Sequence, residues 1–188
     1  MALGIVTLNN KKYMEIKRKL NEYGIKVRQI PLITVEIQST NMYEIILNKV
    51  SHLMKTIQPP FIVEDSGLFI KSLNGFPGPY SSYVFKTLGN NGILKLMKGI
   101  KDRKAEFISL IGLALKPQVV KIFQGKVYGT ISMEKRGNKG FGFDPIFIPE
   151  GYNITFAEMD IQSKNKISHR GRACEKLAKF LINYGIPT

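Results

Sequence analysis

Cysteine, histidine and tryptophan are close to absent from this 188-residue chain, which has one Cys, two His and no Trp. A single thiol, Cys174, forms no internal disulfide, and no Cys/His set has the spacing of a structural zinc site. Long apolar runs are missing too. The longest, FISLIGLALK, has the length of a strand or a short buried helix, well below the ~18 residues that a membrane span requires. The opening segment MALGIVTLNNKKYM lacks the basic start and long apolar core of a signal peptide, so a cytoplasmic location is expected. Acidic residues are scarce, 14 against 28 Lys and Arg, for a net charge of +14. Residues 95–139 hold eleven Lys/Arg, with Asp102, Glu106 and Glu134 the acids among them. Such a surface attracts polyanions, whether nucleic acid, anionic lipid or nucleotide phosphates, although a solvated lysine-rich face is the plainer account. At 44% hydrophobic and 22% charged residues, the composition is that of a folded globular chain and excludes wholesale disorder.

Neither repeats nor low-complexity tracts nor a separating linker interrupt the chain, so residues 1–188 are expected to form one domain, or two small lobes sharing a core. LGIVTL reads as a strand that ends in a polar turn at Asn9-Asn10, followed by a helix over 11–23 that Gly24 ends. VRQIPLITVEI reads as extended. Met42, Ile45, Ile46, Val50, Leu53 and Ile57 recur at helical spacing between Asn41 and Ile57. FIVE and LFIKSL read as two strands flanking an Asp65-Ser66-Gly67 turn, and GFPGP as a loop. Tyr80–Leu88 and Gly92–Lys98 suggest short helices. KAEFISLIGLALK and VVKIFQGKVYGTISM suggest a long hairpin around Lys116-Pro117-Gln118. The glycine-rich RGNKGFGFDP reads as an irregular loop. A last helix carries Ala173, Leu177, Phe180 or Leu181, and Tyr184, stopping at Gly185 and Pro187. Strand–helix units at both ends with hairpin material between them predict an α/β fold whose mixed central sheet has flanking helices.

Polar groups gather at four places where apolar elements end, the usual location of sites in α/β proteins. Thr7-Leu8-Asn9-Asn10-Lys11-Lys12 is a strand-to-helix turn, able to aim N–H groups and a lysine at an anion, but without the glycines of a phosphate-binding loop. Glu64-Asp65-Ser66-Gly67 ends an apolar strand in two carboxylates, the oxygen donors that Mg²⁺ prefers or that a general base needs; an acidic turn is the alternative. Adjacent side chains on extended backbone point opposite ways, so one of the two acids is expected to face a site, with Glu36 either its partner carboxylate or an exposed strand residue. In Gly137–Pro145 the glycines let backbone approach a flat ligand, Phe141 or Phe143 could stack on a base, and Asp144 supplies an acceptor. Lys164-Asn165-Lys166-Ile167-Ser168-His169-Arg170 places cations at a helix start, where the dipole disfavours them, which suggests an anionic ligand. Ser168-His169 is no hydrolase dyad, since no nucleophile-elbow motif accompanies it.

Taken in order, these segments resemble the noncanonical purine nucleoside triphosphate pyrophosphatases, the inosine triphosphatase or Ham1-like family. The resemblance rests on TxNxxK at Thr7, Asn9 and Lys12, on Glu64–Leu68, and on Leu73 to Ser81. It continues through the F-G-aromatic-D-P-x-F motif at Phe141–Phe147, through Phe156–Met159, and through KNxxSHRGxA at Lys164–Ala173. Some relatives carry a basic residue after Pro-Gly-x-Tyr-x, where this chain has Ser82. The resemblance implies an elongated, two-lobed single domain with the active-site cleft between the lobes, and a homodimer. It implies Mg²⁺ held by Glu36 and Asp65, with Asp65 also the base or water-orienting group. Lys12, Lys49 and Lys164 are then expected on the triphosphate, and Thr7, Asn9 and Ser66 as donors. Phe141 is expected to stack on the base, with Gly142 and Phe143 beside it and Asp144, His169 and Arg170 shaping its recognition. The implied reaction is hydrolysis of ITP, dITP or XTP to monophosphate and pyrophosphate, with nucleic acid not expected as substrate. Two alternatives remain at this stage: a septum-protein-like pyrophosphatase of modified pyrimidine triphosphates, against which SHRG and GFGFDP argue, and a basic nucleic-acid-binding module.

Overall fold

The computed structural model of the protein describes residues 2–116 and 119–185. Strand β1 (Leu3–Val6) is buried throughout and leads into helix α1 (Asn10–Asn21). The helix starts where it does because Asn9 caps it, its side chain accepting from the N–H groups of Lys11 at 3.0 Å and Lys12 at 3.1 Å. Beyond it lies Gly24, at φ +74°, a left-handed conformation that suits glycine. Strand β2 covers Val27–Ile30, after which residues 31–39 have no regular structure. The extended reading of VRQIPLITVEI therefore holds as a strand only up to Ile30; Pro31 follows and brings no N–H to a ladder. Helix α2 (Met42–Leu53), capped by Asn41, buries Met42, Ile45, Ile46, Val50 and Leu53, five of the positions its spacing picked out; the sixth, Ile57, lies beyond the end of the helix and is half-buried.

Strand β3 runs without a break over Phe61–Ile70. The Asp65-Ser66-Gly67 turn expected from sequence is instead strand interior, because a neighbouring segment needs the space that Gly67 leaves. A Cβ on Gly67 would collide with the carbonyl of Gly78. That segment is β4 (Pro77–Gly78), which pairs antiparallel with Leu68 and Phe69. GFPGP thus contributes a two-residue strand where a loop was expected, in the short edge position a proline tolerates. Helices α3 (Ser81–Thr87) and α4 (Gly89–Leu96) follow, then β5 (Lys104–Lys116) and β6 (Val119–Ile131). These two are neighbours in the sheet, as a hairpin requires; the Pro117-Gln118 connection lies outside the described residues. A short strand β7 (Phe147–Pro149) and helix α5 (Ile161–Ile167), neither anticipated from sequence, precede helix α6 (His169–Asn183). Pro187 also falls outside the described residues.

The sheet order is β2-β1-β3-β5-β6-β7, with β4 on β3. Pairing is parallel for β1 with β2 and β3, and antiparallel for β3 with β4 and β6 with β7, so the fold is α/β with a mixed sheet. The chain divides into two compact units, each with its own core. Unit 1 comprises Met1–Asp65, Ser109–Gly125 and Arg170–Thr188; unit 2 comprises Ser66–Ile108 and Lys126–His169. Ile5, Ile16, Leu20, Ile62, Ile111 and Leu177 are central to the first core; Leu68, Ile93, Phe107, Phe147 and Phe156 to the second. In unit 1, α2 approaches β5 closely over Gly112, where a Cβ would lie 2.7 Å from Ile46 and 2.8 Å from Val50. No helix among the described residues is long and apolar enough to cross a membrane.

Candidate active site

In unit 1, β3 outruns β1, the pairing of the two ending at Ile5 with Ile62. Past that point Glu64 and Asp65 meet a lysine from the first turn of α1. The Lys12 ammonium lies 3.0 Å from Glu64 and 3.7 Å from Asp65. Adjacent side chains on a strand point opposite ways, yet both acids lie near this one ammonium, because an ammonium arriving at the strand edge can reach both sides of the pleat. A second lysine, Lys49 of α2, is 2.9 Å from Asp65 and also pairs with Glu36. Residues 31–39 thus deliver Glu36 to the same ammonium that holds Asp65.

Glu64 is the best-held member of the group. Its Oε1 accepts from Ser109 at 2.6 Å and from Arg170 Nε at 3.1 Å, while Oε2 faces Lys12. Arg170 Nη1 pairs in turn with Glu15, and Arg170, Glu15 and the Glu64 side chain are each nearly inaccessible. Burial by itself would raise the Glu64 pKa; Arg170, Lys12 and the Ser109 hydroxyl outweigh it and hold this carboxyl far below the usual carboxylate range. Burial likewise disfavours the charged form of Lys49, yet Asp65 and Glu36 leave its pKa raised, so it is a cation at neutral pH. Cys174, fully buried in the same unit, has its thiol pushed up by desolvation and is no nucleophile. Thr7 accepts from the Asn9 N–H at 3.0 Å, bracing the turn that presents Lys12. Two of that turn's backbone donors, those of Lys11 and Lys12, are already on Asn9. Ser66 begins unit 2 and is half-buried.

Unit 2 organises the glycine-rich loop around Asp144. Its Oδ2 accepts from the Phe141 N–H at 2.7 Å and from the Lys164 ammonium at 2.7 Å. Gly140, at φ +71°, passes so near that a Cβ there would strike Asp144 Oδ2. Lys164, expected on the triphosphate, has its ammonium buried beside Asp144, 5.1 Å from the Phe141 ring centroid and 5.6 Å from that of Phe156. It sits in the last turn of α5, where the helix dipole favours a cation, so the argument from misplaced charge does not apply to it. Of the two aromatic candidates, Phe141 is half-buried. Phe143 is 3% exposed, belongs to the unit 2 core and meets the more exposed Phe85 edge-on, a packing role. The Gly142 carbonyl accepts from Asn90 at 3.1 Å. His169 is stacked on Phe107 at 4.6 Å, inside the aromatic core.

His169 and Arg170, neighbours in SHRG, belong to different units. The anion that Arg170 meets is supplied by the protein itself, as Glu15 and Glu64. Sequence reasoning missed Glu15 and Ser109. For Glu15 a signal existed: it shares the helix stripe of Lys12, Ile16 and Leu20, so an acid stands where the spacing calls for an apolar residue. Ser109 carried none.

These motifs match known proteins over nearly the whole chain. The model of the Ham1 family matches residues 3–180. A protein of Methanopyrus kandleri named dITP/XTP pyrophosphatase is 49% identical over 183 residues, covering 97% of each chain. A Pyrococcus horikoshii protein of the same name is 47% identical, over 96% of this chain and 97% of its own. Among solved structures, the Staphylococcus aureus Ham1 protein superposes with a TM-score of 0.82 at 30% identity, covering 96% of this chain and 99% of that one. A HAM1 protein from Coxiella burnetii gives 0.83 at 32% identity with the same coverage. Sequence and fold agree that this chain belongs to the Ham1 family.

Proposed function

We propose that the protein hydrolyses noncanonical purine nucleoside triphosphates, ITP, dITP and XTP, to the monophosphate and pyrophosphate, with Mg²⁺ as cofactor. The observation that carries this reading is the unit 1 array in which Lys12 and Lys49 converge on Asp65, flanked by Glu64 and Glu36. The donor set suits the cofactor. Glu36 and Asp65 already share one cation, the Lys49 ammonium, so both carboxylates come within reach of a single positive centre. Among the described residues no three His, Cys, Asp or Glu side chains form a cage of their own. Mg²⁺ suits such a site, because it is commonly held by one or two carboxylates together with substrate phosphates. Bound there, it supplies charge neutralisation on the phosphates and the leaving pyrophosphate.

Each residue then has a defined task. Asp65 orients the attacking water and takes its proton, Lys12 and Lys49 neutralise the triphosphate, and the Thr7–Asn9 turn fixes where Lys12 starts. Recognition of the base is assigned to unit 2, with Phe141 the stacking ring. Asp144 and Lys164 hold its loop, and His169 packs against Phe107 and Phe156. Adenine presents an amino group at position 6, which leaves unpaired a donor suited to the keto oxygen of hypoxanthine or xanthine. A homodimer and a single functional domain over 1–188 are proposed on the same family resemblance.

The test is pyrophosphate release from ITP, dITP, XTP, ATP, GTP and dTTP, with Mg²⁺ and with EDTA. Metal-dependent turnover of the first three, at least about a hundredfold over ATP and GTP, is expected, a discrimination of ~2.7 kcal/mol. Preference for dTTP would move the protein to the pyrimidine branch, and turnover unaffected by EDTA would remove the metal.

A further inference from the structure

We infer that Asn90 is a positioning residue for the base-binding loop, holding the Gly142 peptide so that the Phe141 ring keeps its place. This deepens the proposed function and takes one premise from it, that the base stacks on Phe141. An asparagine at a helix start ordinarily caps its own helix, yet α4, which begins at Gly89, has no side-chain cap. The Asn90 amide instead donates to the Gly142 carbonyl at 3.1 Å, 52 residues on in the chain. Both residues belong to unit 2.

Two features give this bond its weight. Gly142 sits at φ +63°, and a Cβ built there would meet nothing within 4 Å. No close neighbour on that side fixes the peptide, and glycine turns easily, so a hydrogen bond has to hold it. On the other side of Phe141, Gly140 lies against Asp144, whose Oδ2 accepts the Phe141 N–H at 2.7 Å. Asp144 thus holds the loop at the ring residue itself, and Asn90 holds it one residue later. The second feature is a cost. A carbonyl only accepts, so the amide must present Nδ2 to Gly142. Turned this way, Asn90 Oδ1 is buried with no hydrogen-bond partner among the described residues. An orphaned buried acceptor lowers stability, so something other than stability keeps an asparagine here.

Asn90→Leu keeps the size of the side chain and removes the donor together with the orphaned acceptor. Its midpoint of thermal unfolding is expected within about 2 °C of wild type, or above it, because the lost bond and the relieved acceptor nearly cancel. Amide hydrogen exchange, read by mass spectrometry on peptides spanning 137–147, is expected to quicken about tenfold in that segment alone. KM for dITP is expected to rise about three- to tenfold, the range that one hydrogen bond gives, with kcat within about twofold. Inhibition by inorganic tripolyphosphate, which has no base, should stay within about twofold of wild type. Asn90→Asp sets an acceptor against the carbonyl and should raise KM at least as far. Asn91→Ala, on the exposed neighbour, should move neither KM nor exchange. An unchanged KM in both Asn90 variants overturns the inference. So does a lower unfolding midpoint with exchange and KM unmoved, which would make Asn90 a structural residue. Tripolyphosphate inhibition weakened as much as KM also overturns it, since the effect would then lie on the phosphates. A wild type that releases no pyrophosphate from any nucleotide defeats the proposed function. Faster exchange over 137–147 in Asn90→Leu would still uphold the hold of Asn90 on its loop, and unchanged exchange would overturn it.

Discussion

Replacing Asp65 with asparagine is expected to lower kcat for dITP and XTP by about 10²–10⁴-fold, the usual contribution of a positioned general base. Asparagine keeps the size of the side chain and can still meet Lys49 and Lys12 with its carbonyl oxygen, so far-UV circular dichroism and the midpoint of thermal unfolding should change little. What it loses is the capacity to take a proton and the full negative charge that balances two lysines at 2.9 and 3.7 Å. The effect should therefore fall mainly on kcat, with KM changed far less, because the lysines that meet the phosphates remain. Turnover within tenfold of wild type would take the base role from Asp65.

The second large effect is on stability, and it comes from Lys164. Its ammonium and the Asp144 carboxylate are 2.7 Å apart, with both side chains below 5% exposure. Lys164→Met leaves that carboxylate buried without its cation, a change that costs about 3–5 kcal/mol. For a chain of this size each kcal/mol moves Tm by about 2–4 °C, so a fall of roughly 6–20 °C is expected by calorimetry. Pairing the change with Asp144→Leu should restore most of the loss, since apolar residues of similar volume commonly replace a buried ion pair without penalty. Activity should not recover with it. Asp144 also accepts the Phe141 N–H, and without that acceptor the loop bearing the stacking ring loses its register, so KM for dITP stays raised. Recovery of both Tm and KM in the double variant would show that Asp144 serves stability alone.

Much of the fold was legible because local chemistry and packing agree. Asn9 and Asn41 cap helices whose apolar spacing was already clear, and both caps satisfy N–H groups within three residues. The long β5 and β6 segments are apolar and β-branched enough to be read directly. What escaped depended on partners distant in sequence. Asp65-Ser66-Gly67 has the composition of a turn, and only the nearness of Gly78 makes it strand interior. Helix α5 is seven residues, too short for a period to register.

The site shows the same division. TxNxxK, EDSG and the glycine loop were visible as motifs, and the structure brings Lys12, Lys49, Glu36 and Asp65 together. Nothing in SHRG reveals that His169 turns into an aromatic core while the next residue joins Glu15 and Glu64. That outcome depends on a helix 155 residues earlier in the chain. Glu64 was visible as half of an acid pair, but its role as the anchor of Lys12 needed Ser109 and Arg170 in place around it.

The measurement closest to the central claim is the fate of water oxygen. Hydrolysis of dITP in H₂¹⁸O with Mg²⁺, followed by mass spectrometry of the products, reports which phosphorus the water attacks. Attack at the α-phosphorus predicts one ¹⁸O in the monophosphate, unlabelled pyrophosphate and no orthophosphate. Labelled pyrophosphate would place the attack on the β-phosphorus. Orthophosphate together with a nucleoside diphosphate would place it on the γ-phosphorus. Either result would contradict the assignment of Asp65 and its lysines to attack of water at the α-phosphorus.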